Sequence, residues 1–294
     1  MKRAARLIGL LITTIANAGL AQSRVGSINV GDALINYEST GRGQAIVFIH
    51  GWALHLGAWD DQAAAFSPTH RVIRYDSRGF GRSTGFADIT QDPEDLRILL
   101  DSLGVRSAYV VGHSRGAIVA LSFAVAYPDR VAALVLYGAP PPVGYQPMPS
   151  GPGLAGMFAM FGEIARKYGL DSLGKVVAAS PLAWFPPNRP DLTPKLQAMW
   201  SRYSGRDLLD PHPESGRVLA ARMEQLSDLR MPTLIIYGDH EMPLFQLVAD
   251  TLVKRIANVR KTVIVNGGHV AHWAQPDLFD RALSEFFASV SSRR

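Results

Sequence analysis

No cysteine occurs in the 294 residues of this chain, which removes disulfides, cysteine zinc ligands and lipidation at a cysteine, and leaves the redox compartment open. Charge of one sign is also scarce. Thirty basic residues face 25 acidic ones, and three of the basic ones, Lys2, Arg3 and Arg6, sit at the extreme N-terminus; without them 27 face 25. No basic run with interleaved aromatics remains, so nucleic acid is not an expected partner. Repeats and disordered tails are missing too. His272 follows His269 by three residues and His240 adjoins Glu241, but there is no H-E-x-x-H and no cysteine-histidine framework. Neither a metal nor another cofactor is therefore expected.

What the chain does have is 47% hydrophobic content, enough for one large α/β domain with an insertion. The three N-terminal cations precede an apolar run over 7–15 and the small-residue stretch Ala16-Asn17-Ala18-Gly19-Leu20-Ala21. That is the order of a secretory signal peptide over residues 1–21, with cleavage after Ala18 or Ala21. The run is short for a bilayer span. The expectation is an exported protein, periplasmic or secreted, with no stable membrane anchor once the signal is removed.

Beyond it, 25–30 and 33–38 flank Gly31-Asp32 as a hairpin, and β-branched segments over 45–49, 71–75, 108–111, 133–137, 233–237 and 262–265 follow. Most lead through a turn into a helical pattern, the signature of a doubly wound, mostly parallel sheet. Such sheets bind ligands at the carboxyl ends of their strands. The alternation breaks over 140–228, where prolines and glycines precede helical patterns over 154–168, 173–178, 192–203 and 215–226. This reads as a helical cap inserted into a core formed by 22–139 and 229–294. Its Met148, Met157, Phe158, Met160, Phe161, Trp184, Phe185, Met199, Trp200 and Met223 offer an apolar wall for a substrate, or ordinary packing between cap and core.

The strand over 108–111 runs into Gly112-His113-Ser114-Arg115-Gly116, a G-x-S-x-G nucleophile elbow. Glycines two before and two after the serine let the strand turn sharply into a helix, holding Ser114 at the tip of a strained turn. The apolar helix over 117–126 ends at Tyr127-Pro128, and its unpaired N-terminal amides face the reacting centre. A serine hydroxyl needs a base, and the base an acid. His269, after Asn266-Gly267-Gly268 at the end of the last strand, is the candidate base. In Gly238-Asp239-His240-Glu241, after the penultimate strand, either Glu241 or Asp239 could be the acid. His113 and His55 are read as local packing or pocket wall. His50, Met157, Phe161, Trp184, Met199, Met242 and Val270 are the candidate pocket residues.

With these motifs assembled, the chain resembles the α/β-hydrolase superfamily from about Val25 to Val290. His50-Gly51-Trp52 is similar to that family's HG-x turn, which implies an oxyanion hole made by the backbone N–H groups of Trp52 and Arg115. Asp76-Ser77-Arg78-Gly79-Phe80-Gly81-Arg82-Ser83 is similar to its structural D-x-R-G-x-G-x-S loop. Gly238 to Glu241 resembles its G-x-x-D turn, placing Glu241 at the acid position with Asp239 as the alternative, and Gly268-His269 to Gln275-Pro276 resembles its histidine signature. The chain departs from the pattern in having glutamate at the acid position, Ala274 for a glutamate, and Arg115 after the nucleophile. The resemblance implies a serine hydrolase working through an acyl-enzyme on a small molecule. A carboxylic ester with an apolar part is the first expectation; a lactone, an amide or a carbon-carbon bond is the alternative, and a non-catalytic binding protein on this fold is a remote one. Arg115 is expected to pair with a neighbouring acid rather than with substrate, because an unpaired buried charge is costly.

Overall fold

A computed structural model of the chain describes residues 23–146, 153–179, 184, 186, 189–212 and 220–292. The expected signal segment, Met148 and Phe185 lie outside these residues. Eight strands form one sheet in the order β1-β2-β4-β3-β5-β6-β7-β8. β1 (Arg24–Asn29) and β2 (Leu34–Thr40) are the hairpin, and β2 runs antiparallel to both β1 and β4. β3 (Ala45–Ile49), β4 (Arg71–Tyr75), β5 (Ala108–His113), β6 (Val131–Tyr137), β7 (Thr233–Gly238) and β8 (Val259–Ile264) run parallel to one another. β8 begins three residues earlier than the β-branched run suggests. It is an edge strand, so Arg260 and Lys261 can point to water while their backbone pairs with β7.

Alternation along the inner strands produces two cores. Ile46 and Phe48 of β3 face one side, where they meet α1 (Asp60–Phe66) and α10 (Pro276–Ser291) through Phe66, Phe279 and Leu283. Val47 and Ile49 face the other, against α2 (Asp92–Ser102), α3 (Arg115–Ala126) and α8 (Pro243–Arg255). Burial of both faces explains why these strands read as continuous apolar runs instead of alternating ones.

Between β6 and β7 lie α4 (Gly153–Tyr168), α5 (Leu170–Ala179), α6 (Thr193–Trp200) and the single turn α7 (Arg206–Leu209). In its described part the α-helix expected over 215–226 gives way to extended chain at 220–222 and to 3-10 structure from Met223. Val143 N donates to Ala221 O at 3.1 Å and Met223 N to Val143 O at 2.9 Å, so this strip is paired as extended chain and cannot close helical bonds. A 3-10 turn, Met223–Asp228, follows, and Ala221 and Leu226 join the core beside α3. No helix among the described residues is long and apolar enough to cross a membrane.

Candidate active site

The site is built at the carboxyl ends of β3, β5, β6, β7 and β8. At the end of β5, Ser114 adopts φ 53 and ψ −119, a conformation an L-residue holds only when its surroundings impose it. Both flanking glycines show what imposes it. A Cβ on Gly112 would lie 2.2 Å from Gly116 O, and one on Gly116 would lie 2.4 Å from Ile49 O and 2.6 Å from His50 O. Only hydrogen at these positions lets α3 close on β3 and β5. Ser114 N donates to Tyr137 O at 2.8 Å, which pins the elbow to β6.

His269 lies 6% exposed on the loop after β8, and its Nδ1 is 2.8 Å from Glu241 Oε2. Glu241 Oε1 accepts from Met242 N at 3.0 Å, so each oxygen of this buried carboxylate has its own donor. The acid turn and the histidine loop approach closely enough that a Cβ on Gly238 would lie 2.0 Å from Gly267 O. Asp239, the other candidate acid, is turned away from His269. Its Oδ1 accepts from Gly267 N at 3.1 Å and contacts His240 Nδ1 at 2.7 Å. Burial alone would raise its pKa, but the hydrogen bonds from His240 and the loop amides outweigh that and hold it below the ordinary carboxylate value. Asp239 thus braces the loop that carries His269.

The turn after β3 is held by a polar frame. His50 is fully buried; its Nδ1 donates to Gly51 O at 2.8 Å and its Nε2 accepts from Ser77 N at 2.9 Å. Burial pushes its pKa down to about 4, against the pull of Asp76, so the ring is neutral. Asp76 accepts from Leu56 N at 2.7 Å, Arg82 N at 2.8 Å and Asn36 Nδ2 at 2.9 Å, and Arg78 is paired with Asp95 and Asp32. These loops hold Trp52 where its ring stacks on Phe161 and meets Phe158, Trp200 and Tyr203 edge-on, while its Nε1 donates to Asp207 Oδ2 at 2.7 Å.

Ser114, Arg115, His269 and Trp52 open onto one cavity of about 260 Å³, with Met157, Phe158, Phe161, Trp184 and Met242 among its walls. Three residues expected there are elsewhere. His50 is part of the polar frame, Val270 is fully buried with its N–H on Trp184 O, and Met199 is partly buried and packs toward Gly57 against the core. For His50 and Val270 the loop brings the residue near the site but turns its side chain inward, whereas Met199 sits on α6. Met160 is exposed and Met223 is partly buried against the core beside α3. Ile89, Ile118, Pro140, Leu154 and Phe245 complete the wall; nothing in their sequence surroundings marks them, because they come from five different elements or loops.

Arg115 also lines the cavity, yet its charge is met. Its Nη2 pairs with Asp92, a fully buried carboxylate, and its guanidinium lies 4.9 Å from the Phe80 ring. Burial raises the Asp92 pKa to about 6, partly countered by Arg115. Nothing in the sequence singles out Asp92, since an acid in the first turn of a helix is commonplace. As the first residue of α3, Arg115 has no acceptor for its N–H one turn back. That amide and the dipole of α3 are suited to stabilising negative charge beside Ser114. Among the described residues no group of three or more histidine, aspartate or glutamate side chains could hold a metal ion.

Comparison with known proteins bears on the fold and the family. The chain is 29% identical over 269 residues to a protein of Azorhizobium caulinodans provisionally named carbamate hydrolase RutD, covering 88% of this chain and 97% of that one. It is 30% identical over 271 residues to the 2-hydroxy-6-oxononadienedioate/2-hydroxy-6-oxononatrienedioate hydrolase of Burkholderia vietnamiensis, covering 86% and 90%. A solved bromoperoxidase from Bacillus anthracis superposes with a TM-score of 0.75 at 26% identity, covering 91% of this chain and all of the other. The model of the alpha/beta hydrolase fold matches residues 44–276, and the chain belongs to that family.

Proposed function

We propose that this hydrolase works through Ser114, with His269 as base and Glu241 as the acid that orients it. The observation that carries the reading is that a strained elbow serine and a carboxylate-backed histidine open onto the same apolar cavity. In the proposed cycle Ser114 Oγ attacks a substrate carbonyl carbon while His269 Nε2 takes its proton, and the amides of Trp52 and Arg115 hold the oxyanion. His269 then protonates the leaving group, and water, deprotonated by the same base, releases the acid and restores the serine. The walls favour an ester with a compact apolar part. Segment 140–228 would act as the cap that closes over it.

A second reading keeps the same residues and changes the bond. The names of the relatives favour it, since one is provisionally named a carbamate hydrolase and a 2-hydroxy-6-oxo dioate offers hydrolysis a carbon-carbon bond beside its ketone. A fluorophosphonate probe followed by intact-mass measurement tests the shared part. Ser114 is expected to take the label and Ser114→Ala to take none; a folded wild type without label overturns the mechanism. Turnover across nitrophenyl esters of increasing acyl length then separates the bonds, because a labelled enzyme inert toward every ester favours the second reading. The N-terminal order of cations, apolar run and small residues supports export, and the mass of the mature protein tests it.

A further inference from the structure

Behind the reacting edge of His269 lies a buried group of rings that the proposed cycle leaves without a task. His113, Tyr137 and His272 are all fully buried. The His113 ring stacks on Tyr137 at 4.6 Å and lies 4.8 Å from His269 and 5.3 Å from His272. Two of the three converge on one acceptor: the backbone carbonyl of His269 accepts from Tyr137 Oη at 2.6 Å and from His113 Nε2 at 2.8 Å. A carbonyl can only accept, so His113 carries its proton on Nε2. Its Nδ1 has no partner among the described residues, and burial holds the imidazole neutral by pulling its pKa well below the ordinary value.

The loop that delivers His269 needs such an anchor. It leaves the sheet through Asn266 at φ 55 and two glycines, and α9 (Ala271–Ala274) begins only two residues beyond the histidine. The contact with Glu241 fixes the rotation of the imidazole about its own plane, but one bond to Nδ1 does not fix where the ring sits relative to Ser114. The carbonyl bonds supply that second constraint, and their donors lie in the elbow or are bonded to it. His113 is the residue before Ser114, and Tyr137, whose hydroxyl holds His269, is the residue whose carbonyl holds Ser114 N.

We infer that His113 and Tyr137 are positioning residues that lock the backbone of the general base to the nucleophile elbow and so set the spacing between Ser114 and His269. The inference rests on the proposed roles of Ser114 and His269. Misplacement of a reacting group by about 1 Å costs on the order of a hundredfold in rate. His113→Leu removes one donor, Tyr137→Phe removes the other with the loss of a single oxygen, and His113→Gln keeps an N–H donor three bonds from Cβ.

The experiment measures kcat and KM on a nitrophenyl ester, together with the rate of fluorophosphonate labelling, for the wild type and these three variants. The expected result is a drop of about 10- to 100-fold in kcat and in labelling rate for His113→Leu and about tenfold for Tyr137→Phe, KM staying within about threefold, with most of the loss recovered in His113→Gln. Labelling carries the comparison alone if no ester is turned over. A folded Tyr137→Phe with wild-type rates overturns the inference, as does a loss confined to KM or a His113→Gln no better than His113→Leu. If His113→Leu does not fold, Tyr137→Phe decides. Failure of the wild type to label at Ser114 is a separate result, read on the unaltered protein, and overturns the proposed mechanism together with this inference.

Discussion

Replacing Glu241 by glutamine preserves the shape of the acid and changes what it can accept. In the structure one carboxylate oxygen receives the Met242 N–H at 3.0 Å and the other faces His269 Nδ1 at 2.8 Å. An amide has a single acceptor to share between them. With its oxygen toward Met242, its NH2 points at Nδ1 and drives the histidine proton to Nε2, the nitrogen that must take the proton of Ser114. With its oxygen toward His269, its NH2 meets the Met242 N–H head-on. The first arrangement is the less costly and gives the wrong tautomer. In a serine protease that outcome lowers kcat by roughly 10⁴. The expectation for Glu241→Gln is therefore a fall of about 10³ to 10⁴ in kcat, about 4 to 5.5 kcal/mol of barrier at 1.36 kcal/mol per tenfold, with KM little changed. Asp239→Asn keeps an acceptor for Gly267 N and should lose less than about tenfold. Both variants are compared by burst kinetics on a short nitrophenyl ester and by fluorophosphonate labelling rate, the latter requiring no knowledge of the natural substrate. A Glu241→Gln enzyme within tenfold of wild type, beside an Asp239→Asn enzyme reduced a thousandfold, would exchange the roles of the two acids.

Gly116→Ala forces a Cβ to 2.4 Å from Ile49 O, a backbone atom with no room to retreat, and should cost at least about 3 kcal/mol by urea unfolding; a change under 1 kcal/mol would contradict the packing described for the elbow. Trp52→Phe leaves Asp207 without the indole donor at 2.7 Å and should destabilise by about 1.5 to 3 kcal/mol, and an unchanged melting temperature would show that this bond contributes nothing. His50 has a folded pKa depressed to about 4 from an unfolded value near 6.5, so its contribution is present above pH 6.5 and is lost as pH falls toward 4. The stability gap between wild type and His50→Gln should accordingly narrow by about 1.4 kcal/mol per pH unit across that window. A gap that stays constant from pH 7 to pH 5 would mean that His50 is not held neutral.

Much of this protein was legible before folding because the information is local. Glycine at 112 and 116 around Ser114 reports a steric demand of the turn itself, and the β-branched runs at 45–49 and 108–111 report burial on both faces of a sheet. The strand segments, the mostly parallel sheet, the elbow motif and the histidine motif all followed from such patterns, whereas the order of the strands in the sheet did not. Legibility failed where side-chain direction or distant pairing matters. Sequence placed His50 and Val270 near the site but could not show that both turn inward, and it left Asp239 and Glu241 open because they lie on one turn and only the approach of the loop after β8 separates them. The partner of Arg115 was likewise out of reach: Asp92 lies 23 residues away, at the start of α2, and meets the guanidinium only when α2 packs beside α3. The residues proposed to react are thus picked out by short motifs whose chemistry needs no tertiary contact to be recognised. Which acid touches the base, which donors hold its carbonyl and which side chains wall the cavity depend on strands and loops far apart in sequence, and are decided only when the sheet aligns their carboxyl ends.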